Sequence, residues 1–415
     1  MSSNISKIFD FFEISNRLKQ TVRWKATPQM EPKESSADHS WHMALLAFIV
    51  ATELNLEIDL SRALQIAVVH DLIEALTDDY DYTLIKLGKM TVEQKMAEEQ
   101  AAIEKIRAAL PKKIGTNIAS LWAEYRDSKT EEGKFINATD KIEGIYHMIY
   151  RGHQCFHYPD IIGTFPNKKV SECPALKVVL KEYQRRAKPE FRKHGWQWLK
   201  EYEVDGVKEL KIPVEVKKIF DFIHTSEKLK ETRRWSSVVR MPDKESSADH
   251  SWHTALLVII FADEFNLKVD LERSLKLALV HDLAEAIAGD VDCSLIATGV
   301  VTKEEKYEAE LAAIKKIRKM LPEISGREIE SLWHEFEKAE TTEGKFVKAT
   351  DRIESIDHIL LCGHTTFDYP DLIAPYPNKA VRNFPPLIPA LRELQKRLKP
   401  LYAKLNWDWK KEYDI

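Results

Sequence analysis

The sequence predicts an all-α protein made of two tandem copies of one helical bundle. Three observations carry that reading. Only 13 Gly and 17 Pro occur in 415 residues, which favours long helices with few tight turns. Displaced by 211 positions, the chain matches itself without a gap from Phe9–Tyr202 to Phe220–Tyr413. No convincing alternation of apolar and polar residues marks a strand. At about 150 residues per domain the length alone suggests two or three domains. The repeat resolves this to residues 1–203 and 214–415, joined by 204–213, a short segment without a core pattern. A period this long excludes a solenoid, whose units run about 20–50 residues.

The repeat is close. Lys33–His42 recurs letter for letter as Lys244–His253, and all ten tryptophans fall into five pairs. Within a copy the helix signals follow in order. Ser35-Ser-Ala-Asp38 reads as a capping box opening a helix to about Leu54. Asp59 caps a second helix, with Leu60, Ala63, Leu64, Ile66 and Ala67 at helical spacing. Thr91-Val-Glu-Gln94 and Thr302-Lys-Glu-Glu305 open a third, ended by Pro111 and Pro322. Further helices are predicted over about 115–128, 131–151 and 171–193.

Composition narrows the class. Lys plus Arg is 62 and Asp plus Glu 66, a net charge of −4, which speaks against a dedicated nucleic-acid binder. Hydrophobic residues at 44% suffice for substantial cores. No apolar run approaches the roughly 20 residues that span a bilayer, so no membrane partner is expected. Residues 1–7 lack a basic region followed by an apolar stretch, so no signal peptide is expected. Cys155, Cys173, Cys293 and Cys362 form no CxxC pair, hence no disulfide framework and no thiolate zinc site. The expected location is cytoplasmic.

The polar residues that such helices would bury are His39, His70-Asp71 and Asp140, repeated as His250, His281-Asp282 and Asp351. Two imidazoles and two carboxylates suit magnesium or a divalent first-row metal and leave positions open for water and substrate. The plainer alternative makes them capping or ion-pair residues at helix ends. Four together weaken that alternative, because a bare carboxylate at the end of an apolar helix is costly unless paired or metal-bound.

His39, His70-Asp71 and Asp140 resemble the H…HD…D signature of HD-domain metal-dependent phosphohydrolases. Glu34-Ser-Ser-Ala-Asp-His-Ser40, His70-Asp-Leu-Ile-Glu74 and His281-Asp-Leu-Ala-Glu-Ala-Ile-Ala-Gly-Asp290 resemble the 5′-deoxynucleotidase branch. The likeness covers most of each copy, whereas that branch is usually a single domain. It implies one divalent metal per copy, held by His39, His70, Asp71 and Asp140 and by His250, His281, Asp282 and Asp351. Mn, Co, Mg, Zn, Fe and Ni are not distinguished.

The resemblance further implies Glu74 and Glu285 as general acid or base. Arg23-Trp24 and Arg234-Trp235 become the substrate-binding pair, with Asp79 and Asp290 contacting the sugar. Asp78 stands where copy two has Gly289, so an extra carboxylate is expected to disturb the first site's turn or its anion binding. Between Asp71 and Asp140 there is no histidine, and between Asp282 and Asp351 only His334, which argues against a dinuclear centre. His42/His253 and His147/His358 are expected to hydrogen-bond behind the ligands.

The expected activity is hydrolysis of nucleoside 5′-monophosphates, preferably deoxy, with a small-molecule nucleotide as partner. The alternatives are a nucleoside triphosphate hydrolase, another small-phosphomonoester phosphatase, or a nucleotide sensor with one or both sites retired. Single-domain relatives of this branch pair as homodimers, so the copies are expected to form an internal pseudo-twofold dimer with two separate metal pockets.

Overall fold

Capping decides where the long helices begin. Ser35 accepts the Asp38 N–H while Asp38 accepts the Ser35 N–H, and Ser246 and Asp249 do the same in copy two. The computed structural model describes residues 2–25, 27, 29–80, 84–85, 87–236, 241, 244–362 and 369–415. Copy one runs α1 (Ser2–Ser15), α2 (Ser36–Glu53), α3 (Leu60–Val69), α4 (Glu74–Thr77), α5 (Val92–Ala109), α6 (Lys112–Asp127), α7 (Glu131–Arg151), α8 (Pro159–Thr164), α9 (Asn167–Glu172) and α10 (Lys177–Lys193). Copy two runs α11 (Val214–Ser226), α12 (Ser247–Glu264), α13 (Leu271–Val280), α14 (Glu285–Ala288), α15 (Cys293–Ala297), α16 (Lys303–Met320), α17 (Glu323–Lys338), α18 (Thr342–Cys362), α19 (Pro370–Ile373), α20 (Asn378–Asn383) and α21 (Ile388–Lys404).

Among the described residues no strand forms, and the fold is all-α. The isolated bridges Val22–Ser35 and Arg233–Ser246 tie each Arg-Trp segment to the start of the following helix. No helix of the described residues is long and apolar enough to cross a membrane. The helix predicted over 171–193 is broken between Glu172 and Lys177, because Pro174 has no N–H to continue the ladder. Pro111 and Pro322, read as helix ends, also stand at the N-caps of α6 and α17. The segment 204–213 does contribute to the core: Val207 is fully buried, and Lys181 Nζ donates to the Lys208 carbonyl at 2.6 Å. Val204 and Ile212 pack partly buried against the core as well, and with Leu210 the segment's four apolar residues are too few to show a periodicity.

α2 and α12 are buried all round from Ser36 to Ala51 and from Ser247 to Phe261. A helix of that kind needs neighbours on every side. Its own copy supplies some, and the other copy supplies the rest: α2 packs on α12, and α3 on α13. The contacts between copies come in reciprocal pairs. The Trp41 indole donates to the Leu279 carbonyl and the Trp252 indole to that of Val68, each at 2.9 Å. Ser35 Oγ donates to Asp249, and Ser246 Oγ to Asp38.

The first helix of each copy crosses over. α1 packs on α21, with Arg397 Nη2 2.7 Å from Asp10, and α11 packs on α10, with Arg186 Nη2 2.6 Å from Asp221. Phe12 lies against His253 and Phe261. The 3-10 turns Asn16–Gln20 and Glu227–Lys230 that follow these helices pack on α2 and α4 and on α12 and α14 of their own copies, and send Lys19 and Lys230 to carboxylates of the opposite copy.

Burial pushes Asp38 well above the usual carboxylate range, helped by the facing Asp249, which is itself raised by burial. An aspartate held high in the fold binds its proton more tightly there than in the unfolded chain, whose pKa is about 3.9. Its stabilising contribution is therefore present below that value and lost as pH rises through the folded one. Asp38→Asn keeps an acceptor for Ser246 and removes the charge. Its stability relative to the parent is expected to improve progressively as pH rises above about 4, reaching on the order of 1 kcal/mol. Denaturant unfolding of both proteins across pH 4–8 checks this; an unchanged or falling difference contradicts it.

Candidate active site

Three elements converge on each cluster. His39 sits in the second turn of α2, His70-Asp71 follows the last residue of α3, and Asp140 lies midway along α7. His39 Nε2 is 3.1 Å from Asp140 Oδ1 and 3.8 Å from Asp71 Oδ2, and His70 Nε2 is 3.2 Å from that same Asp71 oxygen. In copy two His250 Nε2 is 3.1 Å from Asp351 and 3.8 Å from Asp282, and His281 Nε2 is 3.4 Å from Asp282. All four side chains of each cluster come from a single copy.

The donor set fits a cation. His70 Nδ1 and His281 Nδ1 each lie 2.8 Å from a backbone carbonyl, of Ala67 and Ala278, and so carry the proton. In the neutral ring that leaves each Nε2 as a bare lone pair, buried and without a hydrogen-bond partner, facing a carboxylate. Two lone pairs facing each other call for a positive charge between them. Ligand atoms of His39, His70 and Asp71, and of His250, His281 and Asp351, lie within 4.8 Å of one another, close enough for one ion. Burial and Arg23 oppose a charge on His39, yet Glu143 and Asp140 outweigh them and raise it to about 10. The site thus attracts positive charge even from a proton.

Behind the candidate ligands stands a layer that the sequence motif does not name. Glu143, one turn past Asp140, binds His39 Nδ1 with one oxygen and His42 Nδ1 with the other at 2.6 Å. Glu354 does the same for His250 and for His253 at 2.8 Å. His147 Nδ1 lies 3.1 Å from Glu227, and His358 Nδ1 lies 3.4 Å from Glu245. The retention of Glu143/Glu354 at the repeat offset, three residues after each ligand aspartate, is the signal that marks them.

The Arg-Trp pairs line the same cavities. Arg23 Nη1 is 3.3 Å from Asp71 and Arg234 Nη1 2.8 Å from Asp282. Trp24 and Trp235 have φ of 61° and 59°, left-handed backbone that a bulky residue adopts only when its surroundings enforce it. Glu34 and Glu245 hold them, accepting from the indole N–H at 3.1 and 3.4 Å. Glu74 and Glu285 each open a short helix after a tight turn from the ligand aspartate, and accept from Ser36 and Ser247 at 2.6 Å. Burial, then the nearby aspartates, push both glutamates well above the usual carboxylate range.

Each cluster opens into a pocket, of about 440 Å³ in copy one and 860 Å³ in copy two. Both sizes suit a small-molecule ligand. Asp79 lines the first pocket and Asp290 the second. The copies differ at their walls. Tyr125 and Lys141 both bind Asp140, whereas copy two has Phe336 and Arg352 in their places. Ser355 Oγ lies 3.1 Å from Arg234 Nη2, where copy one has Gly144.

Asp78 does not act as the sequence suggests. Its φ, ψ of 66°, 167° match the 80°, 158° of Gly289, so the turn is the same in both copies. Its carboxylate leaves the pocket and pairs at the surface with Lys25.

A profile of the HD domain matches residues 15–191 and 226–370, well over half of the chain. The chain belongs to the HD domain family. Its HD copies are similar to the proteins named 5′-deoxynucleotidase HDDC2 of Mus musculus, 36% identical over 136 residues, and of Xenopus laevis, 35% identical over 141 residues. Those matches take in 32% and 34% of this chain, and the chain spans about two thirds of each relative, 65% and 67%. A solved structure from Magnetospirillum magnetotacticum, a "Predicted metal-dependent phosphohydrolase", is 23% identical with a TM-score of 0.37, over 46% of this chain and 95% of that one.

The backbone of Asp78 lies in a region that is nearly glycine-only and costs about 1–3 kcal/mol. The exposed ion pair with Lys25 returns at most about 1 kcal/mol. Asp78→Gly is therefore expected to stabilise the HD protein by about 1 kcal/mol, read as a raised thermal midpoint. A lowered midpoint would assign the exposed pair the larger share.

Proposed function

We propose that the protein is a divalent-metal-dependent phosphohydrolase that releases phosphate from nucleoside 5′-monophosphates, deoxyribonucleotides preferred. The observation that carries this reading is the pair of buried, unpartnered imidazole lone pairs at His70 and His281. Each faces carboxylates at the floor of a nucleotide-sized pocket that also holds an Arg-Trp pair. The names of the relatives support the substrate class. The copies work as separate sites on repeat units 1–203 and 214–415, joined by 204–213. The reciprocal contacts between them support an internal pseudo-dimer.

His39, His70, Asp71 and Asp140 would hold one metal, and His250, His281, Asp282 and Asp351 another. When bound, the ion offsets phosphoryl charge and acidifies water. Arg23 and Arg234 set a fixed guanidinium beside the ligand aspartate, able to take a phosphoryl oxygen in a charged hydrogen bond. The Trp24 and Trp235 rings, locked by Glu34 and Glu245, give the sugar a rigid wall, and Asp79 and Asp290 offer acceptors to its hydroxyls. Glu74 and Glu285 hold a proton in their raised state, with Ser36 and Ser247 occupying Oε2. The proton passes from the carboxyl to the 5′-oxygen as the P–O5′ bond breaks and water bonds to phosphorus, and the phosphate product, carrying both water protons, returns one to the carboxylate.

A second reading attaches to copy two alone. Its wider pocket has room for a more highly phosphorylated nucleotide; Lys303, Lys338 and Lys379 line it, beside Lys306, Lys348 and Arg352, which pair with Glu310, Glu337 and Asp351.

A panel of nucleoside mono-, di- and triphosphates, assayed for phosphate release with several divalent metals, tests both readings. Deoxyribonucleoside monophosphates are expected to exceed their ribo counterparts; equal efficiency reduces the activity to a general nucleotidase. Chelation is expected to abolish release while far-UV circular dichroism stays unchanged. Glu74→Gln with Glu285→Gln is expected to lower kcat by about 10²–10⁴-fold with metal content retained. Unchanged turnover removes these residues from the chemistry.

A further inference from the structure

Behind each ligand histidine two buried glutamates meet, and a lysine from the other copy closes each pair. Lys230 Nζ is 2.6 Å from Glu34 Oε2, 3.0 Å from Glu143 Oε1 and 3.1 Å from Glu227 Oε2. Lys19 Nζ is 2.5 Å from Glu245 Oε2 and 2.7 Å from Glu354 Oε1. The lysine side chains are 1% and 3% exposed and the glutamates 0%, so solvent screens none of these charges. Groups of acids and histidines there, such as His42, Glu143 and Glu227, have the spacing of a further metal site, but the ammonium already occupies it.

Each lysine joins two branches of one site. Glu143 orients His39, and Glu34 holds the Trp24 indole and lies 3.2 Å from Arg23 Nε. Glu354 and Glu245 do the same for His250 and for Trp235 with Arg234. We infer that Lys19 and Lys230 are positioning residues exchanged between the copies, Lys230 organising the site of copy one and Lys19 that of copy two. Without the ammonium, two buried carboxylates repel each other, with only the neighbouring arginine and imidazoles to offset them. Protonation or rotation of one relieves them, and either change frees the ligand imidazole or the indole. Copy one carries the heavier burden, because Glu227 adds a third carboxylate where copy two has Asn16.

The test is a crossed pattern in the full chain. On an Asp282→Ala/Asp351→Ala background, only copy one keeps its full ligand set. There Lys230→Met is expected to weaken Mn²⁺ binding by about 10–100-fold, measured by calorimetric titration. Lys19→Met is expected to weaken it by less than about threefold, as for a distant site. On an Asp71→Ala/Asp140→Ala background the two lysines exchange roles.

The activity arm rests on the proposed reaction. With Mn²⁺ saturating, Lys230→Met on Glu285→Gln is expected to raise KM as well as lower kcat, because the Arg-Trp pair loosens. If the methionine variants do not fold, Lys19→Arg and Lys230→Arg are read instead, with a smaller shift and the same crossing expected. Equal weakening by both lysines on one background, or weakening that follows the lysine's own copy, overturns the inference. Phosphate release from no nucleotide would remove the proposed reaction and leave the Mn²⁺ result to stand or fall by itself.

Discussion

A carboxylate stays charged in a protein interior only beside positive charge, and this protein buries Glu34, Glu143, Glu245 and Glu354, all held below or well below the usual carboxylate range despite burial. What they hold is visible: the His39 or His250 imidazole and the Trp24 or Trp235 indole of each copy. Burial makes these holds rigid, since no water competes for the oxygens. It also creates a demand for positive charge beyond what the His39 and His250 imidazoles supply, since their Nε2 atoms face Asp140 and Asp351. The ammonium groups of Lys19 and Lys230 meet it. For each to arrive, the first helix of its copy must lie on the opposite bundle, and α2 must meet α12 along its length. The packing of the two copies and the order of the two sites are thus one problem solved once.

Much of this was legible in the amino-acid sequence. The repeat, the capping boxes at Ser35, Thr91, Ser246 and Thr302, and the helical spacing after Asp59 are local signals, and local signals survive in any context. The ligand candidates were legible because His-Asp at the end of an apolar helix has few inexpensive explanations. Less legible was whatever depends on the other copy. Lys19 and Lys230 read as ordinary charged residues, for nothing nearby in sequence reveals that their ammonium groups are buried. α11 carries Val216, Ile219, Phe220 and Ile223 at helical spacing, yet the pattern does not say against which bundle that face packs. The break at Pro174 was written plainly and was overridden by the periodicity on either side.

The two sites share a frame and differ in their linings. Identical turns at Asp78 and Gly289 show that the frame tolerates a strained residue without moving. At the walls, Tyr125 and Lys141 bind Asp140 in copy one, Phe336 and Arg352 stand in their places in copy two, and the pocket of copy two has about twice the volume. Duplication within a single chain makes such drift possible. A homodimer must carry every change in both sites, whereas here Ser355 can brace one arginine while Gly144 leaves room beside the other.

The exchange of lysines also changes which positions are answerable to each other. Glu354 is neutralised from 335 residues away, by Lys19, and Glu143 from 87 residues away, by Lys230. A compensating change for a lesion at position 354 therefore belongs in the opposite repeat, near the start of the chain. Co-variation within one repeat would pair these positions correctly by type and wrongly by location, joining 19 to 143 and 230 to 354. Transplanting a single repeat, or recombining the halves of two such chains, exchanges the partners of every buried glutamate at once. The heritable unit of each site is not the repeat but a composite of both.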